Sequence, residues 1–171
     1  MPAAHRTVVV MRHAQAEPAG ATDVARALTA RGRADATAAG AWLASRAVRP
    51  DVALVSAAVR TQETWAAVAS GAGWSLDPSL DRGLYSAGPD TALDLVRALS
   101  DDVASVMLVG HNPTMAYLAA LLDDGEGDPA ATAHLTAGFP TCSLALFSYD
   151  ASWADLDAGR ARLVAFHVAR A

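Results

Sequence analysis

Residues 7–11, Thr7-Val8-Val9-Val10-Met11, form an apolar, mostly β-branched run that stops abruptly at Arg12-His13. A strand with one wet face alternates polar and apolar residues. This run does not, so it predicts a strand covered on both faces, as inside a parallel sheet. Such a strand needs helices above and below it. Five residues thus dictate what the rest of the chain must supply. They also put Arg12 and His13 at the carboxyl end of a central strand, where open α/β sheets bind ligands.

The remaining sequence alternates in the required way. Thr29 reads as the N-cap of a helix whose Ala36, Ala39, Leu43 and Ala47 share a stripe beside Trp42. Val52–Ser56 is a second buried strand. It runs into a helix over 57–70 with Arg60 in its first turn, stopped by Gly71 and Gly73. Trp74–Asp77 reads as a short third strand, and Pro78–Pro89 as irregular. Asp90 caps a helix carrying Ala92, Leu95, Val96 and Leu99. Val103–Val109 is the fourth strand and ends at Gly110-His111-Asn112-Pro113. There Asn112 caps a helix with Pro113 at its first position and Met115, Leu118 and Leu122 on its buried stripe. Asp123–Ala133 reads as a surface loop. Cys142–Tyr149 and Arg162–Val168 read as an antiparallel pair at the sheet edge. The expectation is one domain over residues 1–171: a three-layer α/β/α sandwich whose sheet is mostly parallel with an antiparallel edge.

Composition narrows the function. A chain that is 53% hydrophobic and 18% charged folds rather than staying disordered. Its net charge of -5, with basic residues neither clustered nor in excess, argues against a nucleic-acid partner. No apolar stretch has the length of a membrane span, and Met1–His5 is too short and polar to begin a secretory signal, so the cytoplasm is the expected location. The single Cys142 allows no internal disulfide and reads as a buried, inert thiol. All thirteen basic residues are Arg. Without Lys there is no Walker A lysine and no Schiff base.

Three strand ends each deliver a cationic or imidazole group: Arg12 with His13, Arg60, and His111. In a parallel sheet these ends share one rim. Two guanidiniums and two imidazoles around one point repel one another unless an anion lies among them. Arginine forks match phosphate oxygens, and the helix start at Asn112 adds backbone N–H groups that attract anions. The cluster asks for a phosphoryl group. Arg60 at a helix N-terminus also opposes the helix dipole, a local conflict of the kind found at functional sites.

Taken in order, Val10-Met11-Arg12-His13-Ala14, Leu28-Thr29-Ala30-Arg31-Gly32, Ser56-Ala57-Ala58-Val59-Arg60-Thr61-Gln62-Glu63-Thr64 and Val109-Gly110-His111-Asn112-Pro113 resemble the motifs of the histidine phosphatase superfamily, in its phosphoglycerate mutase-like branch. The short chain is most similar to the small SixA-type phosphohistidine phosphatases. The resemblance implies a nucleophilic His13 and a phosphate pocket of Arg12, Arg60 and His111, with Asn112 beside them. Neutral His13 would attack phosphorus through one ring nitrogen while the other donates to a backbone acceptor. The arginines supply the positive charge, so neither a metal nor a cofactor is expected; His5, His134 and His167 read as incidental.

The general acid is the least defined member. Asp81 in Leu80-Asp81-Arg82-Gly83-Leu84-Tyr85 matches the position of a family Glu, one methylene shorter, with Tyr85 and Glu17 as weaker candidates. A phosphohistidine substrate relaxes the need for an acid, because imidazole is a good leaving group. With no long insertion between Val52 and Leu95, no lid is expected, which suits a phosphorylated protein or a small phosphoester. Two alternatives stay open: a phosphate- or phosphopeptide-binding domain with negligible turnover, and a phosphomutase.

Overall fold

Alternate residues of the first strand face opposite cores. In a computed structural model, which describes residues 5–171, β1 (Arg6–Arg12) has Val8, Val9, Val10 and Met11 all at 0% exposure. Val8 and Val10 join one core with Val106, Leu108, Leu93 and Leu118; Val9 and Met11 join the other with Met107, Val109, Leu43 and Trp65. Residues 1–4, part of the stretch read above for a signal, lie outside the described residues.

The helices that cover those faces are α1 (Ala30–Ser45) and α2 (Val59–Ala72) on one side, and α3 (Pro89–Arg97) and α4 (Thr114–Leu122) on the other. Between them the strands β2 (Val52–Ser56), β3 (Ser79–Asp81), β4 (Ser105–Gly110), β5 (Ser143–Tyr149) and β6 (Arg162–Val168) complete one six-stranded sheet of order β3-β2-β4-β1-β5-β6. The first four strands in that order run parallel, β5 is antiparallel to β1, and β6 is antiparallel to β5. This is the expected α/β/α sandwich. No helix among the described residues is long and apolar enough to cross a membrane.

Local expectations held where a side chain settles the backbone. The Thr29 hydroxyl accepts from the Gly32 amide at 2.9 Å and starts α1. They failed where tertiary contacts compete. The third strand is Ser79–Asp81 rather than Trp74–Asp77, because Trp74 stacks against Trp65 at 5.9 Å instead of entering the sheet. The cap of α3 is Gly88, with Pro89 at the first position and Asp90 inside the first turn. Ala47 lies beyond α1, at φ 57°. The supposed loop Asp123–Ala133 contains the start of α5 (Pro129–Ala137), capped by Asp128, whose carboxylate accepts from the Ala131 amide. Asp-Pro opens a helix here as readily as it closes a loop.

Glycines set how closely α1 and α2 approach. A Cβ on Gly40 would lie 2.0 Å from the Val68 carbonyl oxygen, and one on Gly71 would lie 2.1 Å from that of Thr37. Backbone therefore touches backbone at this crossing. Gly40→Ala is expected to destabilise the protein by about 1–3 kcal/mol through overpacking, despite alanine's better helix propensity. Denaturant unfolding checks this: a gain in stability would mean that the helices separate without cost.

Candidate active site

The carboxyl ends of β1, β2 and β4 meet at one rim. Arg12 lies opposite Gly110 in the ladder. His13, one residue on, donates its amide to the Gly110 carbonyl at 3.0 Å, and its own carbonyl accepts from the Cys142 amide at 3.0 Å. Ala14 donates its amide to the Thr64 hydroxyl oxygen at 3.0 Å, and that hydroxyl donates to the Arg60 carbonyl at 2.7 Å. One buried threonine thus ties the end of β1 to the first turn of α2.

The two imidazoles at the rim are 5.4 Å apart between ring centroids and inclined by 58°. The Nδ1 of His13 lies 2.7 Å from the Ala14 carbonyl oxygen. A carbonyl only accepts, so Nδ1 carries the proton and Nε2 keeps its lone pair. Burial pushes the His13 ring down to about 4, with Arg60 and Arg12 adding to the effect against the opposing Ala14 hydrogen bond. Burial, followed by Arg60 and His13, pushes His111 down to about 3. Both rings are neutral at pH 7. Nε2 of His111 is 2.7 Å from the Ser56 hydroxyl, and its Nδ1 is buried with no partner. If Ser56 donates to Nε2, Nδ1 bears the hydrogen and can meet an anion.

The arginines are held by one edge each. Nη1 of Arg12 donates to the Phe139 carbonyl at 3.1 Å. Arg60, only 6% exposed, donates from Nη1 to the Asp23 carbonyl at 2.9 Å and from Nη2 to the Asp23 carboxylate at 3.3 Å. In both, Nε is buried and unpartnered. Among the described residues, the buried side-chain polar atoms with no partner are Arg12 Nε, Arg60 Nε, His111 Nδ1 and two serine hydroxyls. Unmet donors are costly, and gathered like this they specify an anion.

Other candidates are engaged elsewhere. The Asp81 carboxylate accepts from the Leu84 amide at 3.0 Å and so caps the 3₁₀ turn Gly83–Tyr85. Asp81 lies on the edge strand, whereas His13 follows central β1. That turn presents Tyr85, whose ring stands edge-on to His111 at 5.5 Å and faces the Arg60 guanidinium at 5.8 Å. Tyr85 therefore reaches the cluster. Glu17 is exposed on the loop after β1. The Asn112 amide bonds within the protein: Nδ2 donates to the Phe139 carbonyl at 2.8 Å, and Oδ1 accepts from the Ala116 amide at 3.3 Å. The N-cap itself is Pro113, one residue later than expected. His5 pairs with Asp150, His134 stacks on Phe166 and His167 on Trp42. Cys142 is fully buried, which pushes its thiol up to about 12. Among the described residues, no group of three or more His, Cys, Asp or Glu could hold a metal ion.

The sequence reading missed Ser56, Thr64, Asp23 and Arg26. Ser56 was legible as the polar last residue of an otherwise apolar strand. Asp23 was not, because nothing local shows that the loop after β1 folds back over Arg60. A depression of about 600 Å³ lined by Tyr149, Asp150, Arg160 and Arg162 lies away from the site, at the opposite end of the sheet, where Tyr149 pairs with Arg6.

Known proteins share this arrangement of elements. The family model of the histidine phosphatase superfamily (branch 1) matches residues 8–85. Phosphohistidine phosphatase SixA of Escherichia coli (strain K12) is 32% identical over 134 residues, covering 73% of this chain and 79% of that protein. The chain belongs to the histidine phosphatase superfamily. Among solved histidine phosphatase structures, one from Nakamurella multipartitia, assigned as a phosphohistidine phosphatase SixA, superposes with a TM-score of 0.87 at 35% identity over 100% of both chains. The protein histidine phosphatase SixA complexed with tungstate gives 0.78 at 25% identity, over 95% of this chain and 96% of that one.

Neutral buried histidines tie stability to pH. Unfolded, both rings titrate near 6.5. Folded, they titrate near 4 and 3. Between these values the unfolded chain binds more protons. The stability linked to the neutral rings is therefore fully present above about pH 6.5 and is lost as pH falls toward 4 and below. Ring-proton NMR should give a His13 midpoint near 4, and melting between pH 7 and 4 should fall less steeply in His13→Ala/His111→Ala. A midpoint near 6.5 would contradict the burial.

Proposed function

We propose that this protein is a SixA-like phosphohistidine phosphatase, acting in the cytoplasm on a phosphorylated protein through a phosphohistidine intermediate on His13. The reading rests chiefly on one observation: His13 turns Nδ1 to the Ala14 carbonyl, freeing Nε2 beside unpartnered donors on Arg12, Arg60 and His111.

In this reading Nε2 attacks phosphorus in line. Arg12, Arg60 and His111 bind the three equatorial oxygens, and Ser56 donates to His111 so that its Nδ1–H faces an oxygen. Such preorganised donors are the main source of rate in phosphoryl transfer. Water then hydrolyses the phosphoenzyme. The nucleophile and the positive charge come from the chain itself, and no cofactor enters the scheme. The tungstate complex of a relative supports an oxyanion ligand for the shared fold. Asp81 enters as a residue that positions Tyr85 rather than as the acid.

Rapid alkaline quench after mixing with labelled p-nitrophenyl phosphate, together with turnover of a phosphohistidine peptide, tests this. The expected adduct is base-stable, acid-labile and absent from His13→Ala. Arg60→Ala should lower kcat/KM by about 10²–10³-fold. Ser56→Ala should lower it by about tenfold, the worth of one hydrogen bond fixing a tautomer. Phosphate release without a His13 adduct would refute the scheme.

A further inference from the structure

The loop between β1 and α1 brings a carboxylate to the mouth of the site. Among the described residues, Asp23 is the carboxylate that pairs with a pocket arginine. It is held from three sides: Arg60 Nη2 donates to Oδ2 at 3.3 Å, the Tyr85 hydroxyl donates to the same oxygen, and Arg26 Nε donates to Oδ1 at 3.0 Å. Its side chain is 55% exposed, whereas Arg60 behind it is buried and keeps Nε unpartnered. Asp23 thus occupies the solvent side of the guanidinium whose buried edge is free for a phosphoryl oxygen. The solvent side is also where a leaving group must depart when His13 attacks from beneath.

We propose that the Asp23 carboxylate accepts the ring N–H of a phosphohistidine substrate and so holds that ring in the protonated form from which it departs as neutral imidazole. This rests on the phosphohistidine reading above. The hydroxyl of Tyr85 and then Arg26 keep the Asp23 carboxyl down at about 2. At neutral pH it cannot deliver a proton to an alkoxide, but it is a permanent acceptor. A phosphoimidazole protonated on its distal nitrogen brings its own proton and requires only that this proton be held.

The step balances without proton transfer. The lone pair of His13 Nε2 forms the new N–P bond. The substrate N–P bond breaks, and its electron pair returns to the ring, which changes from imidazolium to neutral imidazole with its distal N–H intact. Water then forms the O–P bond, the pair of the Nε2–P bond returns to His13, and both water protons end on the released dihydrogen phosphate. Throughout, the proton stays on His13 Nδ1, which donates it to the Ala14 carbonyl. Asp23 performs for the substrate ring what that carbonyl performs for the enzyme ring.

The test measures kcat and kcat/KM of the intact protein for a phosphohistidine peptide and for p-nitrophenyl phosphate, whose leaving phenolate needs no ring proton, from pH 6 to 9. The variants are Asp23→Asn and Asp23→Glu. Asp23→Asn is expected to lower the ratio of the two kcat/KM values by about tenfold or more, the worth of a charge-assisted hydrogen bond. It should also move the alkaline limb of the phosphohistidine kcat profile, which reports the bound ring, to lower pH, and Asp23→Glu should partly restore both. A ratio within about twofold of wild type, with an unmoved alkaline limb, overturns the assignment while leaving the phosphatase reading intact. Absence of phosphohistidine turnover in the wild-type protein, with p-nitrophenyl phosphate still cleaved, overturns the phosphohistidine reading and this assignment with it.

Discussion

Burying two imidazoles beside two guanidiniums is the constraint to which the rest of the structure answers. The like charges would repel strongly if all four groups were protonated. Removal from water and the neighbouring arginines resolve this by taking His13 and His111 down to about 4 and 3. Neutrality is also what a nucleophile needs, since a protonated imidazole has no lone pair. The same arrangement that makes the cluster tolerable therefore makes His13 reactive.

Neutral rings leave the tautomer to be decided, and each ring has its own device. The backbone decides for His13, through the Ala14 carbonyl. A strand-end side chain, Ser56, contacts His111. Thr64 joins the strand bearing His13 to the helix bearing Arg60. These contacts come from three different elements, and each is short. Positioning of this kind suits phosphoryl transfer, where placement and charge do most of the catalysis.

The site is less open than chain length implies. No inserted domain covers it, but the loop after β1 lays Asp23 on Arg60, and the turn capped by Asp81 lays Tyr85 on both Arg60 and His111. Among the described residues, the carboxylate that pairs with a pocket arginine is that of Asp23, from the loop after β1. The match of Asp81 to a family Glu rested on position along the chain. In space, its Oδ1 accepts from the Leu84 amide.

The identity of Val8 to Met11 and the placing of Arg12, His13, Arg60 and His111 at strand ends were legible from residues alone. An unbroken apolar strand can be satisfied only between two helical layers, and such a sheet sends its strand ends to one rim. Tertiary structure alone decided that Trp74 stacks on Trp65 rather than joining the sheet, that Asn112 serves the Phe139 carbonyl, and that Asp23 meets Arg60 across 37 residues. Periodicity and capping express forces between near neighbours in the chain. The partner of a polar side chain is chosen by whatever distant segment arrives within hydrogen-bonding range, and no local pattern records that choice.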